Sequence, residues 1–180
     1  MMAAPTLTTD RLILKNIEKS DAQYLKYLLK PEIEAVSGPH MPHSEAQLAQ
    51  HVDRIRGNTA WGVILDDGTW IGDIGVFSIA EHRVGEIAWY IDPSYWNRGY
   101  AFEAATAVLR YAFETLGFVR VSAQIAEDNH ASRHLAEKLG FEFHAILPQA
   151  NLGGKVVDIA YYSLAHWSSR CDLSNQTENI

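Results

Sequence analysis

A short loop, Trp96-Asn97-Arg98-Gly99-Tyr100-Ala101, carries the residues of this chain that are best suited to bind an anion. The first backbone N–H groups of a helix have no partner within the helix and carry the positive end of its dipole, so a loop that leads into a helix favours a bound anion. Gly99 and the small Ala101 let a ligand approach the backbone, and Arg98 adds a permanent cation. The loop is a candidate pyrophosphate site, although an ordinary strand-to-helix turn contains the same residue types.

The residues on either side of this loop predict the two elements that position it. Alternating side chains predict a strand over residues 84–91, in which Glu86 and Tyr90 share one face, and Asp92-Pro93 ends it because proline cannot extend a sheet ladder. Apolar residues then recur at three- and four-residue steps over residues 101–116, which predicts a helix.

The rest of the chain predicts further strands and helices with short connections. The Asp67-Gly68 pair is a strong hairpin signal, and the strand over 119–125 follows the central helix, as a parallel crossover requires. The other predicted strands cover residues 7–17, 60–65, 70–79, 141–147 and 156–164. The other predicted helices begin at capping boxes at Ser20 and Ser44 and at residue 130, with Pro31 ending the first and residues 34–43 forming a loop.

Five short motifs occur in a characteristic order along residues 8–167. They are the loop at 96–101, residues 9–14, residues 129–135, Leu139-Gly140-Phe141, and Gly154 with Asp158. Together they resemble the GCN5-related N-acetyltransferase (GNAT) family, and the loop is similar to its acyl-CoA-binding pattern. Trp96 stands where a glutamine or arginine is usual, which resembles the Rim-type branch that acetylates ribosomal-protein N-termini, and Asn97 replaces a small residue.

The resemblance implies a fold and a co-substrate. The fold is α/β, with a mixed, mostly antiparallel central sheet flanked by helices, and its strands splay into a V that holds acetyl-CoA between residues 86–91 and 120–126. The groove for the acceptor amine is expected at residues 31–56. Residues 1–167 would form a single domain, with residues 168–180 as a polar tail.

The resemblance also assigns the residues that contact acetyl-CoA. The strand edge at 90–92 would pair with the pantetheine arm and offer an N–H to the developing oxyanion, the loop would hold the pyrophosphate, and Asn129 and Ser132 would lie near the pantetheine and the thiol. Core packing and helix capping explain the same residue types at the strand and at Asn129. The implied acetyl-CoA-binding residues are Tyr90, Ile91, Asp92, Asn97, Arg98, Gly99, Tyr100, Ala101, Asn129 and Ser132.

Glu86 and Ser132 are the candidate catalytic residues. Many relatives carry a tyrosine general acid where this chain has Ala136. Ser132 is therefore the candidate hydrogen-bond donor to the leaving thiolate, which departs readily from a thiol of pKa about 8.5. Glu86 shares a strand face with Tyr90 and is the candidate base, or alternatively a surface or paired carboxylate.

The predicted reaction is acetyl transfer to a primary amine, and the acceptor stays open among three interpretations. A protein N-terminal α-amine is favoured by the Rim-type resemblance, and its pKa near 8 leaves it partly neutral, whereas a lysine near 10.4 is almost wholly protonated. A small-molecule amine (an aminoglycoside, a polyamine or an amino acid) and a non-catalytic acetyl-CoA sensor are the alternatives. A monomer or a homodimer is expected.

Composition narrows the partners and the compartment. The 180 residues carry a formal net charge of -7, which argues against a general nucleic-acid surface and suits both cationic amines and simple solubility. No apolar run is long enough to span a bilayer and no signal peptide is evident, so a cytoplasmic location is expected. His130 and His134 lie one helical turn apart, but no third ligand stands at a suitable spacing, and no metal is expected.

Overall fold

An eight-stranded sheet forms the centre of the fold. The computed structural model describes residues 4–36, 42, 44–55, 59–79, 83–152 and 155–165. The strands follow the order β1-β2-β3-β4-β5-β6-β8-β7, and all neighbours are antiparallel except β5 and β6. The strands are β1 (Leu7–Thr8), β2 (Leu12–Asn16), β3 (Thr59–Leu65), β4 (Trp70–Ser78), β5 (Val84–Ile91), β6 (Arg120–Ala126), β7 (Glu142–Leu152) and β8 (Lys155–Leu164).

Helices cover both faces of this sheet. On one face lie α3 (Tyr100–Arg110), which continues into a π-helical turn (Tyr111–Thr115), and α4 (His130–Lys138). On the other face lie a 3-10 helix (Lys19–Leu29), α1 (Pro31–Val36) and α2 (Glu45–Ile55). The mixed, mostly antiparallel sheet flanked by helices confirms the predicted fold class. No helix among the described residues is long and apolar enough to cross a membrane.

Strand β5 separates two hydrophobic cores because its side chains alternate between the faces. Ile87 and Ile91 are buried with α3 and α4, whereas Tyr90 packs against the core formed by the 3-10 helix, α1 and α2. The predicted inward residues of α2, Leu48, Val52 and Ile55, are buried in this second core. The two faces of β5 therefore meet different sets of helices.

The parallel pairing between β5 and β6 ends early. Only Val84 to Glu86 pair with Arg120 to Ser122, and from Ile87 onward β5 is paired with β4 alone. Helix α3 crosses over between the two strands, as parallel neighbours require. The predicted V-shaped splay is thus present, and it opens immediately after Glu86.

Three predictions about the N-terminal region are wrong. Residues 7–17 form two paired strands, because the Thr9 N–H bonds the Leu12 carbonyl at 2.9 Å and closes a turn between them. The first capping box uses Glu18 and Asp21, whose carboxylate accepts the Glu18 N–H at 2.8 Å. The first helix ends at Leu29, just before Pro31, as predicted, but residues 34–36 are helical and not part of a loop, because Pro31 also begins α1 and proline suits the first turn of a helix.

Some predictions lie outside the described residues. These concern the loop at 37–41 and residue 43, the turn at 153–154 and the tail at 168–180.

Candidate active site

A cavity of about 330 Å³ opens between β5, the loop that follows it, the first turn of α3, and helices α1 and α4. Nine of the ten predicted acetyl-CoA-binding residues line it. The exception is Asp92, and the predicted base Glu86 also lies outside the lining. The residues brought together are Tyr90, Ile91, Asn97, Arg98, Gly99, Tyr100, Ala101, Asn129 and Ser132.

The loop before α3 is curled tightly by two residues in left-handed backbone conformations. Asn97 has φ 58° and Gly99, the N-cap of α3, has φ 79°. Asparagine tolerates this region better than most residues, which accounts for its presence at this position of the loop. A Cβ on Gly99 would meet only the Arg11 guanidinium, at 3.4 Å, so the glycine is required by its φ rather than by crowding. The curl leaves the first N–H groups of α3 at the cavity wall.

Trp96, the residue that departs from the family pattern, bonds the end of β5. Its indole N–H donates to the Ile91 carbonyl at 2.6 Å, and its ring lines the cavity. A carbonyl at the splayed edge thereby gains a partner inside the protein.

The register of β4 and β5 decides which backbone groups face the splay. The Asp92 N–H donates to the Ile71 carbonyl at 2.8 Å, and pairing alternates along an antiparallel ladder, so the backbone of Tyr90 also bonds β4. The backbone groups of Trp89 and Ile91 face the opposite, open edge. Of the predicted strand edge at residues 90–92, this register leaves only the backbone of Ile91 at the open edge, where that of Trp89 also lies.

The Asp92 side chain is engaged outside the cavity. It accepts the Ser94 N–H at 2.9 Å and pairs with the Lys30 ammonium at 2.6 Å. Partial burial raises the pKa of Asp92, but the bonds from Lys30 and Ser94 outweigh it and the pKa is lowered. Asp92 therefore links the end of β5 to the start of α1.

The N-terminus of α4 places Ser132 beside Trp89. Asn129 caps the helix, accepting the Ser132 N–H at 3.1 Å, and its amide N–H donates to the Val36 carbonyl at 3.1 Å. The Trp89 indole N–H lies 3.3 Å from the Ser132 hydroxyl oxygen. A hydroxyl that accepts a bond from an indole keeps its own proton for another partner. Asn129 thus combines the capping and the cavity-lining roles that the sequence left open.

Glu86 lies at the closed end of the splay. Its carboxylate accepts a hydrogen bond from the Gln124 side chain on β6 at 2.7 Å. Because it shares a face with Tyr90, it points toward the side of the sheet that carries α1 and α2.

Comparison with known proteins identifies the family. Residues 11–142 match the Acetyltransferase (GNAT) domain family. The chain belongs to the GNAT family. GNAT enzymes transfer the acetyl group of acetyl-CoA, so the chain is an acetyl-CoA-dependent N-acetyltransferase, as predicted.

The relatives of this GNAT protein differ in what their names say about the acceptor. The Bacillus subtilis uncharacterized N-acetyltransferase YoaA is 34% identical over 158 residues, 81% of this chain and 87% of that protein. The FsC-acetyl coenzyme A-N(2)-transacetylase of Aspergillus fumigatus is 30% identical over 73% of this chain and 62% of its own length. Human alpha/beta-tubulin-N-acetyltransferase 9 is 32% identical over 43% of this chain and 39% of its own.

A solved structure has the same fold. The crystal structure of a GNAT-family acetyltransferase from Bacillus anthracis matches with a TM-score of 0.81 and 25% identity, over 89% of this chain and 98% of that one.

The cavity of this GNAT domain suits acetyl-CoA. The open edge of β5 can pair with the amides of a pantetheine arm, and the left-handed Gly99 leaves room for a phosphate beside the first N–H groups of α3. No group of three or more His, Cys, Asp or Glu side chains that could hold a metal ion occurs within the described ranges.

Sequence reasoning missed two participants. The bond between Trp89 and Ser132 depends on how α4 packs, and no sequence signal indicates it. Arg11 belongs to the motif at residues 9–14, but its partner Glu103 lies 92 residues further on, and the motif does not indicate that contact.

Buried ionisable groups lie behind Tyr90, on the α2 side of the sheet. The Tyr27 hydroxyl donates to the Asp73 carboxylate, and Asp73 is the cross-strand partner of Tyr90. Burial raises the pKa of Asp73 to about 7 despite the Tyr27 bond. Burial and then the Asp73 charge raise the pKa of Tyr90 to about 12. Burial, followed by the charge of Arg54, lowers the pKa of His51 on α2 to about 4.

The shifted pKa values of Asp73 and His51 predict opposite effects of pH on the stability of the protein. In the folded protein Asp73 stays protonated up to a pH of about 7, whereas in the unfolded chain it loses its proton above about 3.8. Its contribution to the free energy of unfolding therefore falls as the pH rises through this window. Folded His51 stays neutral down to about 4, while the unfolded chain takes up a proton below 6.5, so its contribution falls as pH drops. The stability of Asp73→Asn relative to wild type should therefore increase as the pH is raised from 4 to 7. The stability of His51→Gln relative to wild type should increase as the pH is lowered from 6.5 to 4.

Urea unfolding at a series of pH values measures both slopes. Glu142→Gln, an exposed carboxylate on β7, serves as the control. Variant and wild-type stability curves that run parallel would contradict the assignment.

Proposed function

We propose that this GNAT enzyme acetylates the α-amine of a protein N-terminus by direct attack on acetyl-CoA. The position of Glu86 carries the proposal. Its carboxylate is bound by Gln124 at the closed end of the splay and acts on an amine through water. Such an arrangement suits an acceptor that is already partly neutral. An α-amine, with a pKa of about 7.7 to 8.0, meets this requirement better than a lysine at about 10.4.

The names of two relatives bear on the kind of acceptor. Human alpha/beta-tubulin-N-acetyltransferase 9 is named for one. The FsC-acetyl coenzyme A-N(2)-transacetylase is named for a different acceptor, so acceptors of both kinds belong in the test.

The chain's own residues have distinct roles in the transfer. Acetyl-CoA supplies an activated thioester. Glu86 takes a proton from the ammonium through water, which frees the nitrogen lone pair for attack. A backbone N–H at the open edge of β5, on Trp89 or Ile91, stabilises the negative charge that develops on the carbonyl oxygen. As the C–N bond forms and the C–S bond breaks, the Ser132 hydroxyl donates a hydrogen bond to the departing thiolate. The thiolate then takes the second proton of the acetylated nitrogen through water, so that the amide and CoA thiol are the products.

Acceptor selectivity is the first prediction of this proposal. CoA release should be fastest with peptides that have a free N-terminus, and kcat/KM should rise through pH 8, where about half of the α-amine is neutral, and level off near pH 9. The measurement compares a free peptide, the same peptide with a blocked N-terminus and one internal lysine, a polyamine and an aminoglycoside, with mass spectrometry locating the acetyl group. Faster turnover on the blocked peptide or on either small amine would reject the α-amine acceptor.

Glu86→Gln should reduce activity in a pH-dependent way. The loss in kcat/KM is expected to be about tenfold at pH 7, and it should shrink toward pH 9 because an amine that is already neutral needs no base. Steady-state kinetics across this range measures the effect, with Glu142→Gln as the matched control on the exposed face of β7. A loss that is the same at every pH would assign Glu86 a structural role instead.

Ser132→Ala should lower kcat and leave KM for acetyl-CoA close to the wild-type value. One hydrogen bond to a charged thiolate corresponds to a loss of roughly tenfold or more. Trp89→Phe, which removes the indole N–H behind Ser132 and leaves a smaller aromatic ring, should cause a smaller decrease of the same kind, and the exposed Ser78→Ala should cause none. An unchanged kcat in Ser132→Ala would remove Ser132 from the mechanism.

A further inference from the structure

Arg11 lies at the turn between β1 and β2 and binds the loop before α3 from outside the cavity. One guanidinium nitrogen donates to the Arg98 carbonyl at 3.1 Å, and the guanidinium carbon lies 4.7 Å from the centre of the Tyr100 ring. Arg98 and Tyr100 line the cavity, whereas Arg11 does not. Arg11 therefore contacts the wall of the candidate phosphate site from the side that faces away from the cavity.

Glu103, in the first turn of α3, holds Arg11 in place. Its carboxylate accepts the Arg11 backbone N–H at 2.9 Å, the Nε–H at 2.7 Å and a third bond from Nη2 at 2.6 Å. The Thr9 hydroxyl donates to the same carboxylate at 2.6 Å. Partial burial raises the pKa of Glu103, but the bonds from Thr9 and Arg11 prevail and lower it, so the carboxylate stays charged. The positive charge of Arg11 is thereby neutralised at its own position.

The bond to the Arg98 carbonyl fixes the orientation of one peptide group. In a planar trans peptide the C=O and the following N–H point in opposite directions. With the Arg98 carbonyl turned outward to Arg11, the Gly99 N–H is turned to the inner side, where both residues line the cavity. Gly99, with φ 79°, has a backbone that could otherwise rotate with little steric resistance.

We infer that Arg11 is a positioning residue for the donor: through the Arg98 carbonyl it orients the Gly99 N–H toward the pyrophosphate of acetyl-CoA. The inference rests on the proposed binding of that pyrophosphate at the loop. Its role differs from that of a phosphate-binding arginine, because its own charge is already paired with Glu103.

The test compares three ligands that differ in their phosphates, with no acceptor present. CoA has a pyrophosphate and a 3′-phosphate, dephospho-CoA has the pyrophosphate alone, and pantetheine has neither. Arg11→Ala should weaken CoA and dephospho-CoA equally, by about tenfold to a hundredfold, and leave pantetheine within twofold of wild type. Calorimetry measures the first two dissociation constants and an NMR titration the third.

Two further variants separate position from charge and from general damage. Arg11→Lys keeps the charge but cannot bond Glu103 and the Arg98 carbonyl together, so it should remain weak. Lys26→Ala breaks another exposed ion pair, with Glu45, far from the loop, and should bind all three ligands normally.

Four results would overturn the inference. They are equal weakening of pantetheine, which marks a structural defect; weakening of CoA without dephospho-CoA, which marks the 3′-phosphate; full recovery in Arg11→Lys; and no change in Arg11→Ala. These binding measurements use no acceptor. Failure of the wild type to acetylate N-terminal peptides would therefore reject the proposed function without affecting the conclusion about Arg11.

Discussion

The site depends on the point at which β5 loses its partner β6. Pairing stops after Glu86 and Ser122, yet β5 continues to Ile91 with β4 on its other edge. Buried backbone groups need hydrogen-bond partners, so this free edge is a binding surface by its construction. Trp96 supplies a partner for the Ile91 carbonyl at the far end. The backbone groups of Trp89 face the open edge beside the cavity, and the loop, α3 and α4 are arranged around this part of β5.

Helix α1 connects the two walls of the splay. At its start, the Lys30 ammonium pairs with Asp92 at 2.6 Å, beyond the end of β5. At its last residue, the Val36 carbonyl accepts a bond from Asn129, the N-cap of α4. An ion pair near the surface contributes about 1 kcal/mol or less and a single neutral hydrogen bond about 1 kcal/mol, so neither contact alone would hold the walls together. The buried Ile33 anchors α1 in the second core, and the two polar contacts then set its orientation across the cavity.

What the sequence predicted well are the features that depend on local patterns. The alternation in β5, the helical period of α3 and the motif at α4 identified the cavity walls, because each of these elements is specified by neighbouring residues. Pro31 ends one helix as predicted, but it also begins the short helix α1, which the prediction of a loop over residues 34–43 missed. Thr9 interrupts a predicted strand because it closes a turn with Leu12. Contacts between distant segments, such as Arg11 with Glu103 and Trp89 with Ser132, depend on how the elements pack. Sequence periodicity contains no information about that packing, so these two contacts could be found only from the structure.

The chain has a formal net charge of -7, yet it must bind a donor that is itself a polyanion. Screening limits the repulsion, because the Debye length is about 10 Å at 0.1 M salt and distant surface charges contribute little. The local field at the loop therefore decides. Arg98 and the first N–H groups of α3 are positive there, and Lys138 on α4 lines the opposite wall, over the ring of Phe102. Arg11 is neutralised by Glu103, so its effect on the donor comes from geometry, and a small number of oriented dipoles and cations outweighs the net charge of the whole molecule.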